Sequence, residues 1–410
     1  MPFNQYLKKH AFTAKLIETP PSPDLGLVVV IPVFNELSLI PTLEALANCE
    51  APKSAVEVIL VFNASEECSE SIRNQNLNAA KAARDWESEH RSLPFQLFLI
   101  EQNYLVAKHA GVGLARKIGM DEAVRRIAQI NRQDGVIICF DADNKCDANY
   151  LKAIEQHFIN HPKIAASAIY FEHPLSGTEF TSDVYEGIAW YELHLRFYKL
   201  GLALANLPFA FHSIGSSMAV RAEDYCRQGG MNKRKAGEDF YFLQKFIDLG
   251  RLNEINATRV IPSPRPSERV PFGTGRAITE MMDGKRNITL SYAFETFLLL
   301  KSIFSNIENW YDSKPSPHPI FLAFVGEENF FIKLEEIRLN STNSDRFVKR
   351  FFQWFNGFQC LKFVHYLRDK HFPLAELASE VPKLLNAMGH SYIFSNPVEL
   401  LSVLREIENP

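Results

Sequence analysis

The sequence predicts an α/β fold: a mostly parallel sheet flanked by helices, followed by a helical C-terminal region. Three observations carry this. Short β-branched apolar runs alternate with longer amphipathic stretches through the first half. Prolines at 262, 264, 266 and 271 interrupt the pattern, and after about Asn287 only helical patterns remain. Hydrophobic residues at 46% and charged residues at 22% are ordinary for a soluble globular chain, so long disorder is not expected. The 410 residues suit about two or three domains. The expected division is 1–286 as the α/β domain, with its core at 26–250, and 287–410 as the helical region.

Leu27 to Val33 is an uninterrupted apolar run, as suits a strand covered on both faces. Val56 to Phe62, Phe95 to Ile100 and Val136 to Phe140 repeat the type, and Ile164 to Phe171 is a weaker fifth. Between them lie helical patterns at Leu37 to Ala47, Glu67 to Trp86, Ala107 to Gln129 and Ala148 to Phe158. Strand and helix in alternation imply a parallel sheet, and ligands in such sheets bind beyond the C-terminal strand ends. Helices are further expected at Tyr185 to Leu204, at Phe240 to Leu249 with Gly250 closing it, and at Phe294 to Trp310, Phe330 to Leu339, Phe347 to Leu367, Leu374 to Met388 and Val398 to Ile407. The late aromatic clusters read as core.

Composition excludes several functions. A net charge of −4 asks for no nucleic-acid partner. The six cysteines form no C-x-x-C pair, which fits a reducing, cytoplasmic setting and no zinc framework. The N-terminal stretch lacks the apolar core of a secretory signal. The uncharged run Leu200 to Val220 holds Asn206, Pro208, His212 and three serines, poor company for hydrocarbon. His157 and His161 share a helix face without a zinc motif, His212 reads as a satisfied buried histidine, and Ser216 and Ser217 lack a nucleophile elbow.

The strand ends carry the chemistry. The first ends in Pro32-Val33-Phe34-Asn35-Glu36 and the second in Phe62-Asn63. The fourth ends in Asp141-Ala142-Asp143. In an extended segment residues i and i+2 point the same way, so two carboxylates would converge there. A hard divalent ion, Mg²⁺ or Mn²⁺, resolves their repulsion and can hold a diphosphate; a solvated turn is the alternative. Glu238-Asp239 opens the Phe240 helix. An ionised Asp there can take a proton from an attacking hydroxyl, and simple capping explains it equally well. Arg265, Arg269 and Arg276 suit phosphate binding or a solvated loop. Lys233-Arg234-Lys235 reads as a solvated face.

The order of these motifs resembles glycosyltransferase family 2, inverting nucleotide-sugar transferases of the GT-A, Rossmann-like fold. The matching pieces are Val29 to Glu36, Gly113 to Gly119, Asp141-Ala142-Asp143 as the D-x-D, Gly215 to Arg221, and Gly237-Glu238-Asp239 as the E-D motif. The resemblance spans Val28 to Gly250 and leaves out the C-terminal region. It implies that Asp143 binds the metal bridging the phosphates, and that Asp141 contacts the ribose or a metal-bound water. It implies a nucleotide pocket lined by Pro32, Asn35 and Glu36. Asp239 would be the general base, and Glu238 would orient the acceptor or the Gly215 loop. Two positions depart from the family. Asn63 stands where an Asp usually reads the base, which leaves the base open, and Arg116-Lys117 replaces Arg-Asn near the sugar phosphate.

The function expected is transfer of a hexose-type sugar from a nucleotide-diphosphate donor to an acceptor hydroxyl on a sugar, glycan or lipid-linked molecule. Peripheral membrane contact and self-association stay open. The competing readings are a sugar-nucleotide-binding assembly protein without turnover and a nucleotidyltransferase. The latter would want a Gly-rich phosphate loop after the first strand, where Pro32 to Asn35 stands instead.

Overall fold

Nine consecutive residues, Leu25–Val33, form strand β1, and all nine are buried. A strand without a polar face belongs inside a sheet covered on both sides. β2 (Ala55–Ser65), β3 (Gln96–Leu105) and β4 (Val136–Cys139) pair with it in parallel, β3 through β2. β5 (Lys145–Cys146), β6 (Ala166–Phe171), β7 (Met218–Arg221) and β8 (Leu252–Ile261) complete an eight-stranded sheet in the order β3-β2-β1-β4-β7-β6-β8-β5. β6 and β8 also pair in parallel, while β7 runs against both β4 and β6 and β5 runs against β8, so four of the seven strand pairings described are parallel. These positions are described in a computed structural model covering residues 2–271, 273–390 and 396–409.

The fold is the expected α/β architecture. The apolar pattern marks none of β5, β7 and β8, and β5 has only two residues. β7 has four residues, and β8 interleaves Asn253, Glu254, Asn256, Thr258 and Arg259 among its apolar ones, which hides its strand character. Pro32 sits in a central strand without an N–H to give. β4 pairs only as far as Val30, so β1 outruns its neighbour where the donor is missing.

The helix Val112–Gln129 packs on β1 and β2 and is buried nearly all round. Its inward charges are therefore all partnered. Arg126 forks onto both oxygens of Glu57 in β2, and Lys117 lies 3.1 Å from Asp121. Asp121 also accepts from Tyr6 and Tyr225, and Glu122 accepts the N–H groups of Leu16 and Ile17. The N-terminal segment is thus fastened onto this helix. Removing one member of such a buried pair costs about 3–5 kcal/mol, because the other charge is left without compensation.

The chain divides into two compact units. The first takes in the sheet, the chain up to Pro174, Ser213–Pro264 and the short stretch Glu268–Gly273. The second takes in Leu175–His212, Arg265–Ser267 and the chain after Thr274. Inside the second unit Phe304, Phe321, Phe330, Phe351, Phe355 and Phe363 are buried against one another, which is the core role their clustering implies. The single helix expected over 347–367 is two, Ser344–Trp354 and Gly357–Lys370. Asn356 makes the break by accepting from the N–H groups of Phe358 and Gln359. The C-terminal helix Pro397–Glu408 is pinned to the helix Ser182–Leu204 through Arg196–Glu408 and Arg405–Glu192. Among the described residues no helix is long and apolar enough to cross a membrane, and the run Leu200 to Val220 splits into a helix end, a loop and most of β7.

Candidate active site

Strand order reverses at β1 and β4: β2 and β3 lie to one side, the remaining strands to the other. A crevice forms beyond the C-terminal ends of such a pair. The segments emerging there are Phe34 to Glu36 after β1 and Asp141 to Asn144 after β4.

The β4 end corrects one expectation. Asp141 to Asp143 is not extended. The strand stops at Cys139 and the chain turns, with the Asn144 N–H donating to the Asp141 carbonyl at 3.2 Å. Ala142 is buried, and its carbonyl accepts from the Thr42 hydroxyl at 2.9 Å, which anchors the turn. The two carboxylates flank that buried alanine, and each meets its own arginine. Arg116 Nη2 lies 2.6 Å from Asp141 Oδ1, and Arg269 Nη2 lies 3.3 Å from Asp143 Oδ2.

Arg116 is the hub of the site. It is buried, and its other terminal nitrogen donates to Glu238. One guanidinium therefore joins the D-x-D turn to the acidic pair that opens the helix Glu238–Leu249. Gly215 is required beside it: a Cβ there would lie 2.2 Å from Arg116 Nη1. Gly237, at φ 69°, takes the left-handed conformation that starts the helix. Asp239 is half-buried, and its Oδ1 accepts from its neighbour Phe240 N–H at 2.7 Å.

Charge in this corner is unbalanced: Asp141, Glu238 and Asp239 surround one arginine. Burial raises the pKa of Glu238, Arg116 works against that, and Asp239 and Asp141 reinforce it. Burial likewise raises Asp239, opposed by Arg116 and by the N–H groups of Phe240 and Gly215. A half-buried carboxylate with a raised pKa is better matched to accepting a proton near neutral pH than an ordinary surface Asp.

On the β1 side, Asn35 is exposed and adopts φ 49°, with its N–H held by Asn76 Oδ1 at 2.9 Å. Asn76 is fully buried and also donates to the Asn63 carbonyl and to Asn103. Asn63 is buried at the end of β2, and its Oδ1 has no protein partner. Glu36 is buried too. Its Oε1 accepts the N–H groups of Leu37 and Ser38, while its Oε2 meets Arg269 Nη1 at 3.0 Å. Pro32 is buried inside β1.

The structure thus gathers Glu36, Asp141, Asp143 and Glu238 through two arginines, Arg116 and Arg269, with Asp239 beside Glu238. It leaves Pro32 and Asn63 beneath the surface. Glu238 is turned inward onto Arg116, which suits holding the Gly215 loop. Arg221 binds the carbonyls of Ile164 and Phe158, and Lys233, Arg234 and Lys235 are exposed. His212 is hydrogen-bonded to Glu408, as a satisfied histidine should be. Thr42 and Asn76, which fix the two strand ends, carry no signal in the sequence; each is one polar residue in an ordinary helix. Arg276 pairs with Glu280 in the second unit. That unit also holds a cleft of about 280 Å³ lined by Lys333, Arg350 and Trp354 among others, which includes none of these residues.

A hard divalent cation fits the donor set. Mg²⁺ or Mn²⁺ takes one or two carboxylates, keeps several waters and completes its shell with phosphate oxygens. Asp143 and Asp141 offer that at the open end of β4, with side chains 24% and 36% exposed. Among the described residues no group of three or more His, Cys, Asp or Glu comes together as a ready-made cage.

No family model matches the sequence, and no curated protein matches it. Among solved structures the chain is similar to S. aureus TarS 1-349 in complex with UDP, at 13% identity, covering 94% of this chain and 91% of that one with a TM-score of 0.40. The UDP-GlcNAc complex of the same protein gives 13% identity, the same coverage and a TM-score of 0.41. The mannosyltransferase PcManGT from Pyrobaculum calidifontis, in complex with GDP-Man and Mn2+, is 14% identical over 100% of this chain and 94% of that one, with a TM-score of 0.38.

Proposed function

We propose that the chain is a metal-dependent glycosyltransferase that moves a hexose-type sugar from a nucleotide-diphosphate donor to an acceptor hydroxyl, with inversion. The observation that carries this is Arg116. It ties Asp141, after β4, to Glu238 of the second acidic pair, so two motifs about 100 residues apart act as one site at the sheet's switch point. A capping residue or a solvated turn has no need of that connection.

Asn35 and Glu36 form the nucleotide wall beyond β1, with Pro32 and Asn63 beneath it, and Asn76 holds Asn35 in place. Asp143 and Asp141 would hold a Mn²⁺ or Mg²⁺ ion. When bound, that ion neutralises charge developing on the leaving diphosphate. Asp239 takes the proton from the attacking acceptor hydroxyl. Its raised pKa makes it a stronger base than a surface carboxylate while Arg116 keeps it ionisable. Glu238 holds Arg116, and Arg116 holds the Gly215 loop and Asp141. With Asp239 as the base, the transfer is a single in-line displacement at the anomeric carbon, which inverts it.

The test is donor turnover with Mn²⁺ and a panel of UDP-, GDP- and dTDP-sugars, read as release of nucleoside diphosphate. Asp143→Ala should abolish it. Full turnover in that variant would overturn the metal assignment.

A further inference from the structure

Arg269 comes from the short stretch Glu268–Gly273, which clusters with the sheet unit while its flanking residues do not. Its guanidinium spans the crevice. Nη1 donates to Glu36 Oε2 at 3.0 Å and to the Phe34 carbonyl at 3.1 Å, and Nη2 lies 3.3 Å from Asp143 Oδ2. A single positive group thus joins the C-terminal end of β1 to the turn after β4, touching the carboxylate assigned above to the metal. Both anchors are also held by other contacts. Glu36 is fixed by the N–H groups of Leu37 and Ser38, and the Asp143 turn by Thr42. Arg269 itself is partly exposed, at 28%, where an ion pair is held weakly and is screened by salt.

We propose that Arg269 is a built-in counter-cation of the donor site, occupying Asp143 in the donor-free protein and yielding it when a divalent cation arrives with a nucleoside diphosphate. This rests on the metal reading of Asp143. The two positive charges compete for one carboxylate, so Arg269 partly offsets the acidic charge of the resting site and selects against free metal. Cation and diphosphate enter together, and Arg269, released from Asp143, is left within reach of the incoming phosphates. Arg269 is then a positioning residue, and its role is read in metal affinity rather than in turnover.

The test is titration of Mn²⁺ alone, followed by the loss of the free-ion paramagnetic resonance signal, on the full chain at low ionic strength. Arg269→Gln should bind Mn²⁺ about tenfold more tightly than the parent, because a like charge close to the ion has been removed. The gain should shrink as salt is added. Arg269→Lys, which keeps the charge, should bind like the parent, and Arg269→Met should match Arg269→Gln, which separates charge from packing. Asp143→Asn should abolish the binding in either background. Binding that depends on Asp143 yet is equal or weaker in Arg269→Gln would overturn the counter-cation role and leave the metal reading intact. Absence of Asp143-dependent Mn²⁺ binding in every variant, with UDP, GDP and dTDP added in turn, would overturn both.

Discussion

Two arginines bridge two carboxylates each at the mouth of the sheet, and they differ in depth. Arg116 joins Asp141 to Glu238 from inside, 4% exposed. Arg269 joins Asp143 to Glu36 from outside, 28% exposed. The buried bridge is part of the fold: Gly215 leaves room for it. The anchors of the outer bridge are also held by other contacts: Glu36 by the N–H groups of Leu37 and Ser38, and the Asp143 turn by Thr42. Depth therefore separates the group that builds the site from the group that occupies it.

The largest effect should fall on the chemistry beside the inner bridge. Asp239→Asn is expected to lower kcat by about 100- to 10,000-fold, the usual worth of a general base, with the donor Kd from calorimetry unchanged. Equal loss of donor affinity would instead make Asp239 a binding group. Next comes Arg116→Gln, which leaves Asp141 and buried Glu238 without their cation. Chemical denaturation should show a loss of about 3–5 kcal/mol. Gly215→Ala forces a methyl group toward the same guanidinium and should cost about 1–3 kcal/mol while leaving the fold intact. Arg269→Gln, by contrast, should change stability by less than about 1 kcal/mol. If the two arginine variants cost the same, the contrast drawn here is wrong.

The pH dependence sharpens the same comparison. Glu238 and Asp239 have raised pKa values in the folded state, chiefly from burial. Their contribution to stability is present below the ordinary carboxylate pKa and is lost as pH rises through the folded values. Activity runs the other way, because the base must be ionised. The acid limb of kcat/KM should therefore lie above the ordinary carboxylate range. Arg116 opposes the shift, so Arg116→Lys, with its less fitted charge, should move that limb further up, whereas Arg269→Gln should leave it in place.

Much of this was legible in the residues. β1, β2 and β4 are covered on both faces, so their apolar runs stand out, and the acidic pairs at Asp141 and Glu238 follow a strand end and open a helix. β8 is not legible, because half its residues are polar although it lies inside the sheet, between β6 and β5. The break at Asn356 was hidden by apolar periodicity that continues through it. Within the site, residue identity announced the carboxylates but not their partners. Arg116 reaches Glu238 across 122 positions and Arg269 reaches Glu36 across 233, and no local pattern records such distances. The turn at Asp141 to Asn144 has the sequence of an extended end because an apolar strand leads straight into it; the hydrogen bond that closes it depends on backbone geometry rather than on side-chain pattern.

The most direct measurement is anomalous diffraction from crystals of the protein soaked with Mn²⁺ and the nucleoside diphosphate that binds best. The expected result is a metal peak bonded to Asp143 and to the diphosphate, with Arg269 moved off that carboxylate and Arg116 still between Asp141 and Glu238. Nucleotide bound in the crevice with no metal at Asp143, or a metal held elsewhere, would contradict it.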